Sequence, residues 1–138
     1  MIALSPFDSS TRILAKVLDL RAKNQQVIAA NIANAETPGY SPSTFQFEEE
    51  LRNATGKVTN LPLAGTNEHH IAPVLGNIES VHGSITTSPD QTGIGDENGV
   101  SVDEEMMKLS ENELLYEAAA QLLKKKLGMI RYAISSGQ

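Results

Sequence analysis

The chain has 138 residues, of which 40% are hydrophobic and only 4% aromatic, with no Trp and a formal net charge of -6. This length fits a single domain, and the composition favours an aliphatic core built from helices. The negative balance argues against a nucleic-acid-binding domain, which needs a concentrated basic surface to bind phosphates.

The sequence contains no cysteine, which excludes disulfides, thiolate metal ligands and thiol catalysis. Its first residues show no basic segment followed by an apolar run. No later stretch approaches the roughly 18 apolar residues that a membrane span requires. We therefore expect neither a cleaved signal peptide nor a direct membrane span.

The first predicted element is a long helix from Ser5 to about Ala35. Ser5 is a suitable N-cap, Pro6 fits the first turn, and Asp8 complements the positive end of the helix dipole. Residues at alternating spacings of four and three form an apolar row with polar interruptions. This row consists of Phe7, Thr11, Leu14, Leu18, Arg21, Gln25, Ile28, Ile32 and Ala35. A helix of this length spans about 45 Å, more than a small core can cover by itself.

A neighbouring row on the same helix carries three amides. It consists of Ile13, Val17, Leu20, Asn24, Val27, Asn31 and Asn34. Amides on an apolar helix face can hydrogen-bond across helices and fix their register, at some cost in stability. The alternative interpretation is that Asn31 and Asn34 only support the end of the helix.

Residues Thr37, Pro38, Gly39 and Tyr40 are predicted to end this helix in a tight turn. Proline disfavours the α conformation at the residue before it. Pro-Gly suits the two central positions of a turn whose second position needs a positive φ, which glycine adopts at little cost. The chain therefore changes direction here.

Residues 41–100 are predicted to form an irregular middle segment. Its first part, 45–54, could be a short helix or an extended segment. The anchors of this part are Phe45, Phe47 and Leu51. Over 56–99 the periodicity is lost and glycines and prolines are frequent, which predicts loops or hairpins. A structureless stretch of this length is unusual in a compact domain, so a projecting region, a segment that orders on contact and some β structure all remain open.

The last predicted element is a long helix over 101–138. Ser101 and Glu104 match a capping box, and acidic residues precede basic ones as the helix dipole favours. Spacing near 3.5 over several heptads predicts a coiled-coil row. This row consists of Val102, Met106, Leu109, Glu113, Tyr116, Ala120, Leu123, Leu127, Ile130 and Ile134. A second row consists of Leu115, Ala119, Leu122, Met129 and Ala133. The combined face is wider than one helix would bury, which implies more than one neighbour.

The predicted fold is therefore mainly α. Long N-terminal and C-terminal helices pair as a coiled coil, and the irregular middle segment between them can include β structure. The organisation is an N-terminal helix and turn over 1–40, the middle segment over 41–100 and the C-terminal helix over 101–138.

No catalytic, cofactor-binding or metal-binding residues are predicted. His69 and His70 are adjacent and cannot easily converge on one metal, and His82 lies in an aperiodic stretch. The acidic run over 48–50 has no partnered acid or base and fits a solvated helix face better than catalytic carboxylates. The glycines over 93–95 lack the third glycine of a dinucleotide-binding loop. The sequence indicates a protein that is not an enzyme.

The sequence from Ala30 to Tyr40, Ala-Asn-Ile-Ala-Asn-Ala-Glu-Thr-Pro-Gly-Tyr, resembles the rod-protein motif of flagellar axial proteins. In the C-terminal helix, the residues Ser-Val-Asp over 101–103, Leu-Ser-Glu-Asn over 109–112 and Ile-Arg-Tyr-Ala-Ile over 130–134 resemble the B-type proximal rod subunits, as do Tyr116 and Lys126-Leu127-Gly128. The resemblance covers about half of the chain. On these motifs the chain is identified as a member of the bacterial flagellar basal-body rod protein family.

The resemblance implies a structural subunit of the proximal rod, which self-assembles through its end helices into the drive shaft that transmits torque. It also implies export through the flagellar type III apparatus without a cleaved signal, followed by assembly in the periplasm as part of the basal body. The implied partners are copies of the chain, other rod and basal-body proteins and the export apparatus. No cofactor and no nucleic acid are implied.

The expected assembly interface combines the helical rows with the turn. Its helical residues are Leu14, Leu18, Asn24, Ile28, Asn31, Ile32, Asn34, Val102, Met106, Leu109, Tyr116, Leu123, Leu127, Ile130 and Ile134. The turn motif adds Thr37, Pro38, Gly39 and Tyr40.

The sequence favours this function over two other classes. A soluble helical adaptor or chaperone would bind one partner helix in a stoichiometric complex. A small hydrolase or metalloenzyme would need a convergent set of nucleophile, base and metal ligands, and the sequence shows none.

Overall fold

The computed structural model describes residues 9–56, 77–88 and 99–135. Its elements are helix α1 (Ser9–Ala33), strand β1 (Ser43–Gln46), helix α2 (Glu48–Gly56), a 3₁₀ turn (Ile78–Ser80), strand β2 (Ser84–Thr87) and helix α3 (Val102–Ser135). The mainly α fold, with two long end helices and short strands in the middle, confirms the predicted class. The predicted N-cap at Ser5, the two adjacent histidines and the glycines over 93–95 lie outside the described residues.

Helix α1 ends at Ala33, two residues earlier than predicted, and the turn that follows has the predicted geometry. The Tyr40 amide donates to the Thr37 carbonyl at 3.2 Å, and Gly39 has a φ of 72°. Pro38 precedes the residue with positive φ, as in a type II turn. The local sequence therefore accounts for where the helix stops.

Helices α1 and α3 lie side by side in antiparallel orientation. Asn24 contacts Asn112, whereas Asn31, further along α1, contacts Glu105, which is earlier in α3. The end of α1 and the beginning of α3 therefore lie at the same end of the pair. This arrangement confirms that the long end helices pack together.

The middle segment contributes a hydrophobic cluster that packs on α1. Strands β1 and β2 pair in antiparallel register, with Phe45 opposite Ile85. Phe45 and Phe47 are stacked with ring centroids 5.2 Å apart, and with Leu20 and Val81 they form the buried cluster. Helix α1 is consequently covered on two sides, by α3 and by the strand layer.

The acidic run that opens α2 has a larger role than the solvated face predicted for it. Three glutamates in the first turn complement the positive end of the helix dipole. The Glu50 carboxylate also accepts hydrogen bonds from the backbone amides of His82 at 3.3 Å and Gly83 at 2.8 Å. Glu48 pairs with Arg21 at 3.3 Å. These carboxylates join α2 to α1 and to the segment before β2.

Helix α3 begins as the sequence predicts. The Ser101 hydroxyl accepts a hydrogen bond from the Glu104 amide at 3.4 Å, which is the N-cap contact to the third residue of the helix. Three acidic residues follow in the first turn. The start of α3 is thus fixed by local chemistry.

Candidate assembly interface

The centre of the contact between α1 and α3 is polar, and Asn31 is its most completely bonded residue. Its side-chain nitrogen donates to the Ser43 carbonyl at 2.7 Å and to the Glu105 carboxylate at 2.9 Å. Its side-chain oxygen accepts from the Ser43 amide at 2.9 Å and from the Tyr40 hydroxyl at 3.2 Å. All four hydrogen-bonding positions of the amide are used, and the residue is only 1% exposed. Asn31 therefore connects α1, β1 and α3.

Glu105 is a charged residue buried at this contact. It is 4% exposed, and besides Asn31 it has Lys108 as a partner, with 2.6 Å between the ammonium nitrogen and the carboxylate oxygen. A buried carboxylate without partners would be costly, because it loses its hydration. The pairing with Asn31 and Lys108 explains why this residue is tolerated inside the contact.

A second polar group lies further along the two helices. Asn112 is 1% exposed. Its side-chain oxygen accepts hydrogen bonds from the side-chain nitrogen of Asn24 at 3.0 Å and from the Arg21 guanidinium at 3.4 Å. Asn112 also donates to the Arg21 backbone carbonyl at 2.9 Å. The Arg21 guanidinium lies 4.8 Å from the centre of the Phe47 ring and pairs with Glu48. This group connects the two long helices to the strand layer.

The amides of α1 have different roles. Asn24 and Asn31 bond across to α3, as expected of amides that fix helix register, and they do so within one chain. Asn34 instead donates to the Ala30 carbonyl of its own helix at 2.8 Å, so for this residue the helix-end interpretation holds. The register of α1 against α3 is therefore set by hydrogen bonds inside the subunit.

The row of α3 that faces α1 differs from the most apolar row in the sequence. The buried residues of α3 are Glu105, Asn112 and Ala119, spaced by seven. Within the subunit, Leu109, Leu123 and Ile130 of the predicted row are half-buried, whereas Met106 and Leu127 are exposed. Sequence reasoning missed Glu105 and Asn112. Their spacing of seven was the available signal, but it was outweighed by the larger apolar residues next to them.

Two rows of exposed apolar residues lie on either side of this contact. The first flank consists of the exposed Val102, Met106 and Leu127 with the half-buried Ala120, and the second of the exposed Leu115, Leu122 and Met129. A residue one position after a buried residue points about 100° to one side of it. A residue three positions after a buried residue points about 60° to the other side. Met106 and Leu122 are 48% and 57% exposed. Among the described residues, every large hydrophobic exposed to this degree except Ile85 belongs to α3.

The other predicted interface residues fall into three groups. Leu14, Leu18 and Ile32 are half-buried, and Ile28 is buried against the rest of the chain. Tyr116 and Ile134 are 37% and 70% exposed. The exposed residues of the turn motif are Thr37, Pro38 and Gly39. Among the predicted interface residues that the structure describes, those available to another molecule are therefore concentrated on α3 and at the turn.

The described residues show little that would support catalysis. They contain no group of histidine, aspartate and glutamate residues that could hold a metal ion. A cavity of about 240 Å³ lies between α1, β1 and α3, and two of its carboxylates, Glu48 and Glu105, are already paired with Arg21 and Lys108. No described helix is long and apolar enough to cross a membrane.

Comparison with known proteins identifies the family. The flagellar basal body rod protein FlgB of Salmonella typhimurium is 33% identical over 141 residues, a match that covers 97% of this chain and 99% of that protein. FlgB of Escherichia coli K12 is equally similar, and FlgB of Bacillus subtilis is 26% identical over 135 residues. The chain belongs to the flagellar basal body rod protein family. The family model, described as flagella basal body rod protein, matches residues 17–40.

The span matched by the rod-protein model coincides with the internal contacts of the subunit. It contains Arg21, Asn24 and Asn31, which bond to α3, and the turn with Gly39. None of the exposed apolar residues of α3 lies within it. The matched span thus includes residues of α1 that bond to α3 within this subunit.

Proposed function

We propose that the chain is a structural subunit of the flagellar rod, in its proximal part, and that it assembles through its end helices into the shaft that transmits torque. The observation that carries this proposal is the arrangement of α3. The row that faces α1 contains two buried polar residues, Glu105 and Asn112, and exposed apolar residues lie on each side of it. Contiguous exposed apolar surface on a protein of this size is typical of an interaction site.

The two flanks favour assembly with several neighbours. A helix that occupied the first flank, at Met106 and Leu127, would leave the second flank, at Leu115 and Leu122, still exposed. A soluble adaptor with one partner helix would therefore leave an apolar row in water. Packing among copies of the chain and other rod proteins covers both rows.

The names of the relatives support this proposal, because each is a flagellar basal body rod protein that matches this chain over nearly its full length. We extend it to export by the flagellar type III apparatus and to assembly in the periplasm, with other basal-body proteins as partners. No catalytic role is part of the proposal.

Leu122→Asp tests the proposal most directly. Leu122 is 57% exposed, so the fold of the isolated subunit does not depend strongly on it, whereas a carboxylate buried against a neighbouring helix would lose its hydration. We expect the variant to be exported but absent from purified basal bodies, and the cells that carry it to lose swimming. The amount of subunit in basal bodies is measured by immunoblot.

Ile85→Asp is the matched control. Ile85 is 52% exposed and lies on β2, away from both flanks of α3. The control subunit should be incorporated at close to the normal level. Normal incorporation of Leu122→Asp would contradict the proposed role of the flanks. Leu123→Asp is a less informative variant, because Leu123 is half-buried and the change would also disturb the fold of the subunit.

A further inference from the structure

The charges of α3 are divided between its two halves. Its six acidic residues all lie between 103 and 117, and four of its five basic residues lie between 124 and 131. Complementing the helix dipole requires charges only in the first and last turns, but Glu117 and Lys124 are in the middle of the helix. The helix dipole therefore does not account for the whole pattern.

Four of these charges lie beside the first flank. Glu117, Lys124 and Arg131 are spaced by seven residues, and Glu113 belongs to the same row as Met106 and Leu127. Residues spaced by seven lie on one helix face, since seven residues make nearly two turns. An apolar row bordered by charged residues is the usual organisation of a helix that pairs with another helix. We call this set of six residues the charged flank: Met106, Glu113, Glu117, Lys124, Leu127 and Arg131.

The charged flank cannot neutralise itself within one chain. Glu117 and Lys124 are separated by about 10 Å along the helix, at 1.5 Å per residue, which exceeds the reach of an ion pair. In the part of the chain that the structure describes, Lys124 and Arg131 form no ion pair, and Glu113 has only a 3.4 Å hydrogen bond from Gln25. Acidic and basic groups thus remain available to a second molecule.

We propose that the charged flank binds the charged flank of a second copy of this chain, with the two α3 helices parallel and offset by roughly 20 Å. The acidic half of one copy then lies beside the basic half of the next, and the apolar residues between the charges pack together. This inference rests on the proposed function in one respect, the choice of the parallel arrangement. An antiparallel pair would satisfy both halves with one partner and close as a dimer, whereas an offset parallel pair can continue into an extended assembly.

Charge reversal tests the pairing. An acidic variant combines Lys124→Glu with Arg131→Glu, and a basic variant combines Glu113→Lys with Glu117→Lys. Each variant alone places like charges at every contact, and we expect about a tenfold or greater decrease in its amount in purified basal bodies. Coexpression of both variants should restore incorporation to at least half of the normal level, because each can then pair with the other. Both subunits in the mixture still carry their substitutions. A recovery of incorporation would therefore come from contacts between the two kinds of copy.

The control reverses two charges elsewhere. Glu49→Lys with Arg52→Glu changes exposed residues of α2 and should leave incorporation unchanged. Circular dichroism of the purified variants verifies that the helices are retained. Normal incorporation of either α3 variant alone, or a mixture no better than its components, would overturn the pairing. Absence of the unmodified chain from basal bodies would instead contradict the proposed function.

The direction of pairing is tested by cross-linking in basal bodies. The chain has no cysteine, so Glu117→Cys and Arg131→Cys introduce the only thiols, and their separation of about 21 Å along the helix matches the proposed offset. With both changes in one chain, an added oxidant should produce covalent species larger than a dimer, and neither single variant should cross-link to itself. A covalent dimer as the largest product would indicate the antiparallel arrangement and overturn the proposal. Cross-linking of the Glu117→Cys variant to itself would indicate parallel helices without an offset, with the same consequence.

Discussion

Replacing Asn31 with leucine removes the residue on which three elements converge. Leucine has a similar size but can make none of the four hydrogen bonds. The Ser43 amide, the Ser43 carbonyl and one Glu105 oxygen then lose the partners they have at 2.9, 2.7 and 2.9 Å. Each buried polar group left unpaired costs about 1–3 kcal/mol, and part of this is offset by the apolar leucine side chain. We expect Asn31→Leu to lower the free energy of unfolding by about 3–5 kcal/mol.

Urea unfolding of the purified subunit, followed by circular dichroism, measures this effect. Asn34→Leu is the matched control, because Asn34 is only half-buried and bonds mainly to a carbonyl of its own helix. It should cost less than about 1 kcal/mol. A destabilisation by Asn31→Leu no larger than that of Asn34→Leu would refute the reasoning.

A double variant separates hydrogen bonding from packing. Glu105→Leu by itself removes one acceptor of Asn31. Combined with Asn31→Leu, it also removes the carboxylate that would otherwise be buried without Asn31. Replacing both partners with apolar groups is less costly than removing one. The double variant should therefore be more stable, by about 1 kcal/mol or more, than the sum of the two single effects predicts. Additive effects would show that the Asn31–Glu105 contact contributes little.

Three further substitutions test local geometry through thermal or urea unfolding. Gly83→Ala should lower the free energy of unfolding by about 2–3 kcal/mol, because φ is 63° and the added Cβ would lie 2.6 Å from the Phe45 ring; an unchanged midpoint would contradict this contact. Gly39→Val should cost about 2 kcal/mol, since φ is 72°, and Gly39→Asn should cost less; equal losses would argue against backbone strain. Ser101→Ala should cost about 1 kcal/mol through loss of the contact to the Glu104 amide, and no change in melting temperature would show that this N-cap is unimportant.

The features that could be predicted from sequence are those set by neighbouring residues. The turn at Gly39, the N-cap at Ser101 and the two long helices follow from chemistry within a few positions of each residue. The anchors Phe45 and Phe47 were also predicted, because large apolar side chains in a mostly polar stretch are usually buried. The sequence left helix and extended segment open over 45–54, and the structure contains one after the other, with the end of β1 followed after one residue by α2.

The row of α3 that faces α1 could not be predicted, because which row is buried depends on residues that are far away in the sequence. Ranked by hydrophobicity, Met106 should be buried before Glu105. Glu105 is buried instead because Asn31, 74 residues earlier, supplies a hydrogen-bond donor. Asn112 is likewise satisfied by Asn24, 88 residues away. Periodicity describes one helix at a time and does not show which polar residues of another helix will meet it.

The coverage of α1 on two sides, with α3 exposed on its flanks, has a consequence for how such chains diverge. A change in α1 is constrained by the rest of its own chain, because Leu20 packs on the strand layer while Asn31 bonds to α3. A change on a flank of α3 is constrained only by whatever molecule lies beside it. A duplicated gene could therefore give rise to a protein with new neighbours by altering the flanks of α3, while residues 17–40 stay nearly the same.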